Sequence, residues 1–316
     1  MGGRRYVVRA LLGCAVVGLL GGCSASASPS AAPTTSVSSG NVAAGQPQSY
    51  LYWANDVADG SIGRANLDGT GVNEKFISGL SGPCGVAVVG SFIYWANLGS
   101  NPAVGSTIGR ANLDGTGVNL SFITGVAAPC GVASDGTHLY WANTTEGEGS
   151  TIGRANLDGT GVNENFISGA QGPCGVAVEG THVYWANEGY NATGSTIGRA
   201  NLDGTGVNES FIGGAFAPCG VAVDSTHVYW ANRGTSGWTP TSGTTIGRAN
   251  LDGTGLDESF IGGAFAPCGV AVDSTHVYWG NETTSNGAGT TIGRANLDGT
   301  GVNQQFITGA QGPCVM

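Results

Sequence analysis

The sequence predicts an all-β chain, arranged as a ring of one repeated four-stranded unit. Three observations carry that prediction. The dipeptide Tyr-Trp recurs six times, with its Trp at positions 53, 95, 141, 185, 230 and 279. The run IGRANLDGTG recurs six times, from Ile62, Ile108, Ile152, Ile197, Ile246 and Ile292. No window shows the sustained 3.6-residue apolar period of an amphipathic helix. Four short strands every 42 to 49 residues is the repeat of a β-propeller blade. The chain therefore reads as a six-bladed β-propeller of four-stranded antiparallel blades.

Each element of the unit follows from its residues. GVAV, as at Gly175–Val178, is a short apolar run suited to a strand buried on both faces. THVYWAN, Thr181–Asn187, is β-branched and aromatic, which favours a strand. TIGRANL, Thr196–Leu202, alternates and ends at Asp203-Gly204. VNESFI, Val207–Ile212, follows that turn. Asp-Gly between two such runs is a hairpin signal. Glycine makes up 58 of 316 residues, more than twice the usual ~7%, but without the G-x-y period of collagen.

The two ends of the repeat array are complementary. PCGVA recurs five times, carrying Cys84, Cys130, Cys174, Cys219 and Cys268; a sixth copy begins at Pro313-Cys314. No PCGVA precedes the first unit, which opens at its second strand near Tyr50. The ring is expected to close between the N- and C-terminal segments. Val42–Gln46 would support a clasp this short.

The N-terminus reads as an address. Arg4, Arg5 and Arg9 precede the short apolar run 10–22, too short for the ~20 residues of a stable membrane span. Leu20-Gly21-Gly22-Cys23 resembles the lipobox of bacterial lipoproteins, which implies lipidation of Cys23 and removal of residues 1–22. Arg4-Arg5 also resembles a twin-arginine export signal, loosely. Residues 23–47 are Ser/Ala/Pro/Thr-rich and carry no charge, as a flexible tether does. Residues 48–316 are then the propeller, exported and held by a lipid on the outer side of the cytoplasmic membrane.

YWAN followed by IGRANLDGTG resembles the YWTD repeat, the class B repeat of the low-density lipoprotein receptor, over residues ~50–316. The resemblance implies a six-bladed propeller, and six copies are present. Five copies read YWAN and the last YWGN, at Trp279-Gly280-Asn281. The side-chain bonds of the family's Thr and Asp therefore do not carry over. The motif transfers a fold rather than a ligand.

Length variation is confined to one connection. From each Ile of IGRAN to the next repeat Trp is always 33 residues, whereas from Trp to the following Ile it is 9, 13, 11, 12, 16 and 13. In a propeller, equivalent loops emerge on one face, so one face carries six different loops on a near-constant scaffold. Such loops are where binding resides, unless they vary because nothing constrains them. Trp238 lies in the longest loop, after Arg233, and Tyr190 is a second aromatic candidate. Asp56, Asp59, Glu146, Glu148, Glu188 and Glu282 bias the face negatively. They would suit a cationic partner or Ca²⁺, or simply keep the surface soluble.

The once-per-blade residues have bland readings beside their chemical ones. Cys84, Cys130, Cys174, Cys219, Cys268 and Cys314 would ring one mouth of the channel as small core residues, disulfides or metal ligands. No CxxC pair is present. A channel radius of roughly 7–9 Å, implied by the resemblance, makes disulfides between neighbours marginal. His138, His182, His227 and His276 fall three residues before a repeat Trp, where Tyr50 and Phe92 stand in the other units. Such a position calls for a flat ring. Arg64, Arg110, Arg154, Arg199, Arg248 and Arg294 are expected to stack on Trp or bond the Asn of YWAN. Asp68, Asp114, Asp158, Asp203, Asp252 and Asp298 precede Gly, as turn residues do.

Lys+Arg 11 against Asp+Glu 21, net −10, is not the footprint of a nucleic-acid binder. No P-loop, G-x-S-x-G, H-E-x-x-H or EF-hand pattern occurs. The sequence points to a monomeric, surface-tethered propeller that binds a protein, peptide or envelope glycan on its variable-loop face. No catalytic set and no cofactor is assigned. The alternatives are a passive envelope lipoprotein, and an enzyme resembling streptogramin lyase or gluconolactonase-like hydrolases.

Overall fold

The computed structural model describes residues 50–57, 59–99, 106–144, 150–189, 194–234, 244–282 and 290–315. These form six four-stranded antiparallel sheets, with no helix among the described residues. The blades are numbered I to VI in chain order. Blade IV shows the pattern: Pro173–Glu179, His182–Asn187, Thr196–Asn201 and Asn208–Gly213 lie side by side in that order. The first strand of each blade lines the axis and the fourth forms the rim. Burial follows position. Pro173–Ala177 is buried throughout, and the rim strand alternates, exposing Asn208, Ser210 and Gly213 while Ile212 is buried and Phe211 half-buried. A two-sided strand needs a continuous apolar run, and a half-covered one alternation.

Blade I closes the ring. Its strands are Pro313–Val315, Tyr50–Asn55, Gly60–Asn66 and Asn73–Leu80. The C-terminal strand pairs Trp53 with Val315, Ala54 with Cys314 and Asn55 with Pro313. The Gln311 amide donates to Asn55 Oδ1 at 3.0 Å. Arg294 of blade VI donates to the Leu67 carbonyl of blade I at 3.4 Å. The clasp is short, but side chains reinforce it. Val42–Gln46 lies outside the described residues.

The core sits between blades. Tyr184 and Ile197 of blade IV pack in one cluster with Val221, Val228 and Trp230 of blade V. All six repeat Trp residues are fully buried. Large aromatics fill the wedge that widens outward from the axis, each burying about 150–250 Å².

The fixed Asn of YWAN explains the departure from YWTD. Asn187 Nδ2 donates to Thr196 Oγ1 and to the Glu209 carbonyl, both at 3.0 Å. Its Oδ1 accepts the Gln171 amide at 3.0 Å. One amide side chain thus ties its own strand to the two outer strands and to the approach of the innermost one. A carboxylate could not donate these bonds.

The repeat Arg residues differ from expectation. They stack on Phe rather than Trp: Arg199 Cζ lies 3.9 Å from the Phe211 ring centre, and Arg248 3.9 Å from that of Phe260. They bond the next blade rather than the Asn, as Arg199 Nη1 does at the Leu251 carbonyl, 3.2 Å away. Gly198 stands opposite Trp185 in the ladder, so the indole covers that glycine and is not available to Arg199. The His positions hold flat rings, His182 meeting Tyr184 at 6.1 Å and Tyr50 meeting Tyr52 at 6.2 Å. The Asp residues serve the turns: Asp203 Oδ1 accepts from the amide and hydroxyl of Thr205.

Candidate functional site

Two layers of side chains converge on the axis beneath the variable loops. The lower layer is sulfur. Pro173 pairs with Asn187 at the loop end of blade IV, so the following Cys174 lies at that mouth. Its equivalents follow round the ring, and successive Sγ–Sγ spacings are 2.7 Å for Cys84–Cys130, 3.6 Å for Cys130–Cys174, 3.0 Å for Cys174–Cys219 and 2.9 Å for Cys219–Cys268. All five are fully buried. Cys314 occupies the sixth position on the clasp strand. The expected wide channel is absent at this level. A Cβ on Gly131 would stand 2.7 Å from the Val176 amide, and one on Gly175 2.8 Å from the Cys219 carbonyl. Glycine after each cysteine lets neighbouring backbones touch, and the sulfurs fill what remains.

The upper layer comes from the residue that follows each YWAN. Around the ring these are Asp56, Leu98, Thr144, Glu188, Arg233 and Glu282. Arg233 Nη1 bonds Glu188 Oε1 at 2.9 Å, and its Nη2 bonds Glu282 Oε2 at 2.9 Å. One guanidinium fork thus bridges blades IV, V and VI. Glu188 is 1% exposed and Glu282 8%. Asp56 Oδ2 and Glu282 Oε1 are buried, with no hydrogen-bond partner among the described residues. Burial pushes the Glu188 carboxyl up to about 8; the nearby Cys219 adds to this and Arg233 opposes it. Burial lifts Glu282 to about 7 and Asp56 to about 6, in both cases against Arg233. Below them, burial and its sulfur neighbours push the Cys174 thiol up. Burial also acts to raise Cys130, but hydrogen bonds from Cys174 and Cys84 bring it down.

The loop-face candidates therefore divide. Arg233, Glu188 and Glu282 are not displayed on loops; they form a buried ion-pair bridge at the loop bases. Asp56 is half-buried beside them, and Asp59 is exposed. Trp238, Tyr190, Glu146, Glu148 and Cys23 lie outside the described residues. The reading missed Phe216 and Phe265, 49% and 54% exposed on adjacent blades of the same face. Phe216 accepts the Gly234 amide at the base of the longest loop, 3.1 Å away. Ala217 and Ala266 follow them with φ of 45° and 42°, a left-handed conformation costly for a residue with a Cβ. The available signal was local: only these two units place an aromatic two residues before the Pro of PCGVA.

Chemically, the axis offers thiols and carboxylates in two adjoining buried layers, which can hold a cation or a proton. On the same face, Phe216 and Phe265 stand exposed.

No protein-family model and no curated protein matches the sequence. Among solved structures, a chain of the nidogen/laminin complex matches with a TM-score of 0.60 and 18% identity, covering 78% of this chain and 89% of that one. TolB from Acinetobacter baumannii matches with a TM-score of 0.56 and 12% identity, covering 79% of this chain and 61% of that one. These likenesses show the fold, a β-propeller.

Proposed function

We propose that this chain is an exported, lipid-anchored binding propeller that holds a protein or peptide on its variable-loop face. The observation that carries the reading is the pairing of loop variation with exposed aromatics. All length variation lies in loops that leave the face where Phe216 and Phe265 stand exposed. Large aromatics are favoured anchors of protein interfaces. The nidogen/laminin structure, a complex of proteins, lends support. Lipidation at Cys23 and the tether 23–47 would hold residues 48–316 off the membrane with that face free.

The test is capture by a photo-crosslinker placed at Trp238 in cells. Phe216→Ser and Phe265→Ser are expected to lose the crosslinked partner while the thermal unfolding midpoint stays within a few degrees. Undiminished capture by the double variant would sink the loop-face reading. Binding to purified envelope polysaccharide, lost in the same variant, would replace the protein ligand by a glycan.

A further inference from the structure

We propose that the axis is a zinc site, with Cys174 and Cys219 as thiolate ligands and Glu188 as the oxygen ligand, clamping blade IV to blade V. The two Sγ atoms and one Glu188 carboxylate oxygen all lie within 4.8 Å of one another, and the three residues are buried. A mixed S₂O donor set suits Zn²⁺, which accepts thiolate at ~2.3 Å and carboxylate at ~2.0–2.2 Å. Around a tetrahedral ion two such sulfurs stand about 3.8 Å apart, so the 3.0 Å Cys174–Cys219 spacing has to open slightly. Cys130, 3.6 Å from Cys174, and Cys268, 2.9 Å from Cys219, are at hand for the fourth position.

A second observation points to a cation. The layer above the sulfurs holds three carboxylates, Asp56, Glu188 and Glu282, around Arg233. Among the described residues, two buried carboxylate oxygens there, Asp56 Oδ2 and Glu282 Oε1, have no hydrogen-bond donor. Buried oxygens without a donor are costly, and a cation there would give them a partner. Arg233 bonds Glu188 without exhausting it, because a carboxylate has lone pairs for both a guanidinium and a metal.

The sixfold ring explains why the site is single. The repeat Cys recurs in sequence in every blade, but blades II, III and V place Leu98, Thr144 and Arg233 where blade IV places Glu188. Among the described residues, only the IV–V junction brings a carboxylate within reach of two sulfurs. Binding releases the two thiol protons to solvent, together with the proton of Glu188 where its carboxyl is protonated, and involves no change of oxidation state.

The experiment loads the reduced full-length chain with Zn²⁺ or Co²⁺ and removes weakly held metal by dialysis. One ion per chain is expected by elemental analysis, with thiolate-to-cobalt charge-transfer bands in the Co²⁺ form. Cys174→Ser and Cys219→Ser should weaken binding by 100-fold or more, and Glu188→Gln by about 10–100-fold. Cys84→Ser, across the ring, should leave it unchanged. Because loss of an axial thiol can unfold the ring, the wild-type cobalt spectrum stands by itself: no retained ion, or a bound ion without thiolate bands, overturns the site. A Cys174–Cys219 disulfide in the chain isolated from its own cells overturns it as well. Phe216→Ser keeps its metal in either case, which separates this site from ligand capture on the face above.

Discussion

The two faces of this propeller are built from the same repeat and have diverged in opposite ways. On one face the NLDGTG turns are the same in all six blades. Each Asp accepts from the Thr two residues on, and each Asn bonds the Thr hydroxyl, as in Asn201–Thr205 and Asn296–Thr300. On the other face the residue after YWAN differs in nearly every blade, and so does the loop that follows. Sixfold identity suits turn chemistry, which every blade needs once. A single site requires that the symmetry be broken, and only the loop face breaks it. Arg233 between Glu188 and Glu282 exists because neighbouring blades do not carry the same residue.

That contrast can be broken first at the symmetric neck. Gly175→Ala would place a Cβ 2.8 Å from backbone atoms of blade V, Cys219 O and Val221 N, which cannot swing aside. Overpacking there should cost about 3 kcal/mol or more, read as lost folded yield or a steep fall in denaturation midpoint. Gly213→Ala, with nothing within 4 Å of the new Cβ, is the matched control and should be nearly neutral. Equal effects of the two would show that the neck is not closed by backbone contact.

The broken-symmetry layer gives the next effect. Arg233→Met removes the donor that Glu188 and Glu282 share. With their carboxyls already raised to about 8 and about 7, they take up protons rather than stay charged, and the loss should be about 1–3 kcal/mol in urea unfolding at pH 7. Adding Glu188→Gln and Glu282→Gln to that variant should restore most of the loss. If the triple variant is no more stable than Arg233→Met, the bridge is not what Arg233 supplies.

The smallest effect concerns Asp56. Burial lifts its carboxyl to about 6 from a reference value of 3.8. The folded state therefore holds the proton more tightly than the unfolded one. The associated stability is fully present below pH 3.8 and is lost as pH rises through about 6. Asp56→Asn should stabilise the chain by about 1–2 kcal/mol at pH 7 and change little at pH 4. A gain that is the same at both pH values would contradict an ionisable origin.

Much of this was legible before any coordinates. Blade number, strand order, the turn role of the Asp residues and the flat-ring role of His138, His182, His227 and His276 follow from local periodicity and residue type. The partners of Arg199 and Arg248 were not legible, because Phe211 and Leu251, or Phe260 and Leu297, meet them only once strands pair and blades pack. Glu188, Arg233 and Glu282 read as loop charges because the sequence shows a loop beginning there. It does not show that the first residue of each loop turns inward over the sulfurs. Phe216 and Phe265 were passed over because exposure of an aromatic in a short connection is set by how the blades pack, not by its neighbours in sequence.

The sequence by itself determined the ring of six blades and the face on which it varies, since both are properties of a repeat and its spacing. It also determined where the ring closes, because a missing first strand at one end and a spare one at the other have a single solution. Only the tertiary structure decided how near the axis the repeat positions come, and hence that a buried layer of carboxylates lies against a buried layer of sulfur. Distances across a ring depend on backbone approach at Gly131 and Gly175, between residues more than forty positions apart. No local pattern encodes that separation.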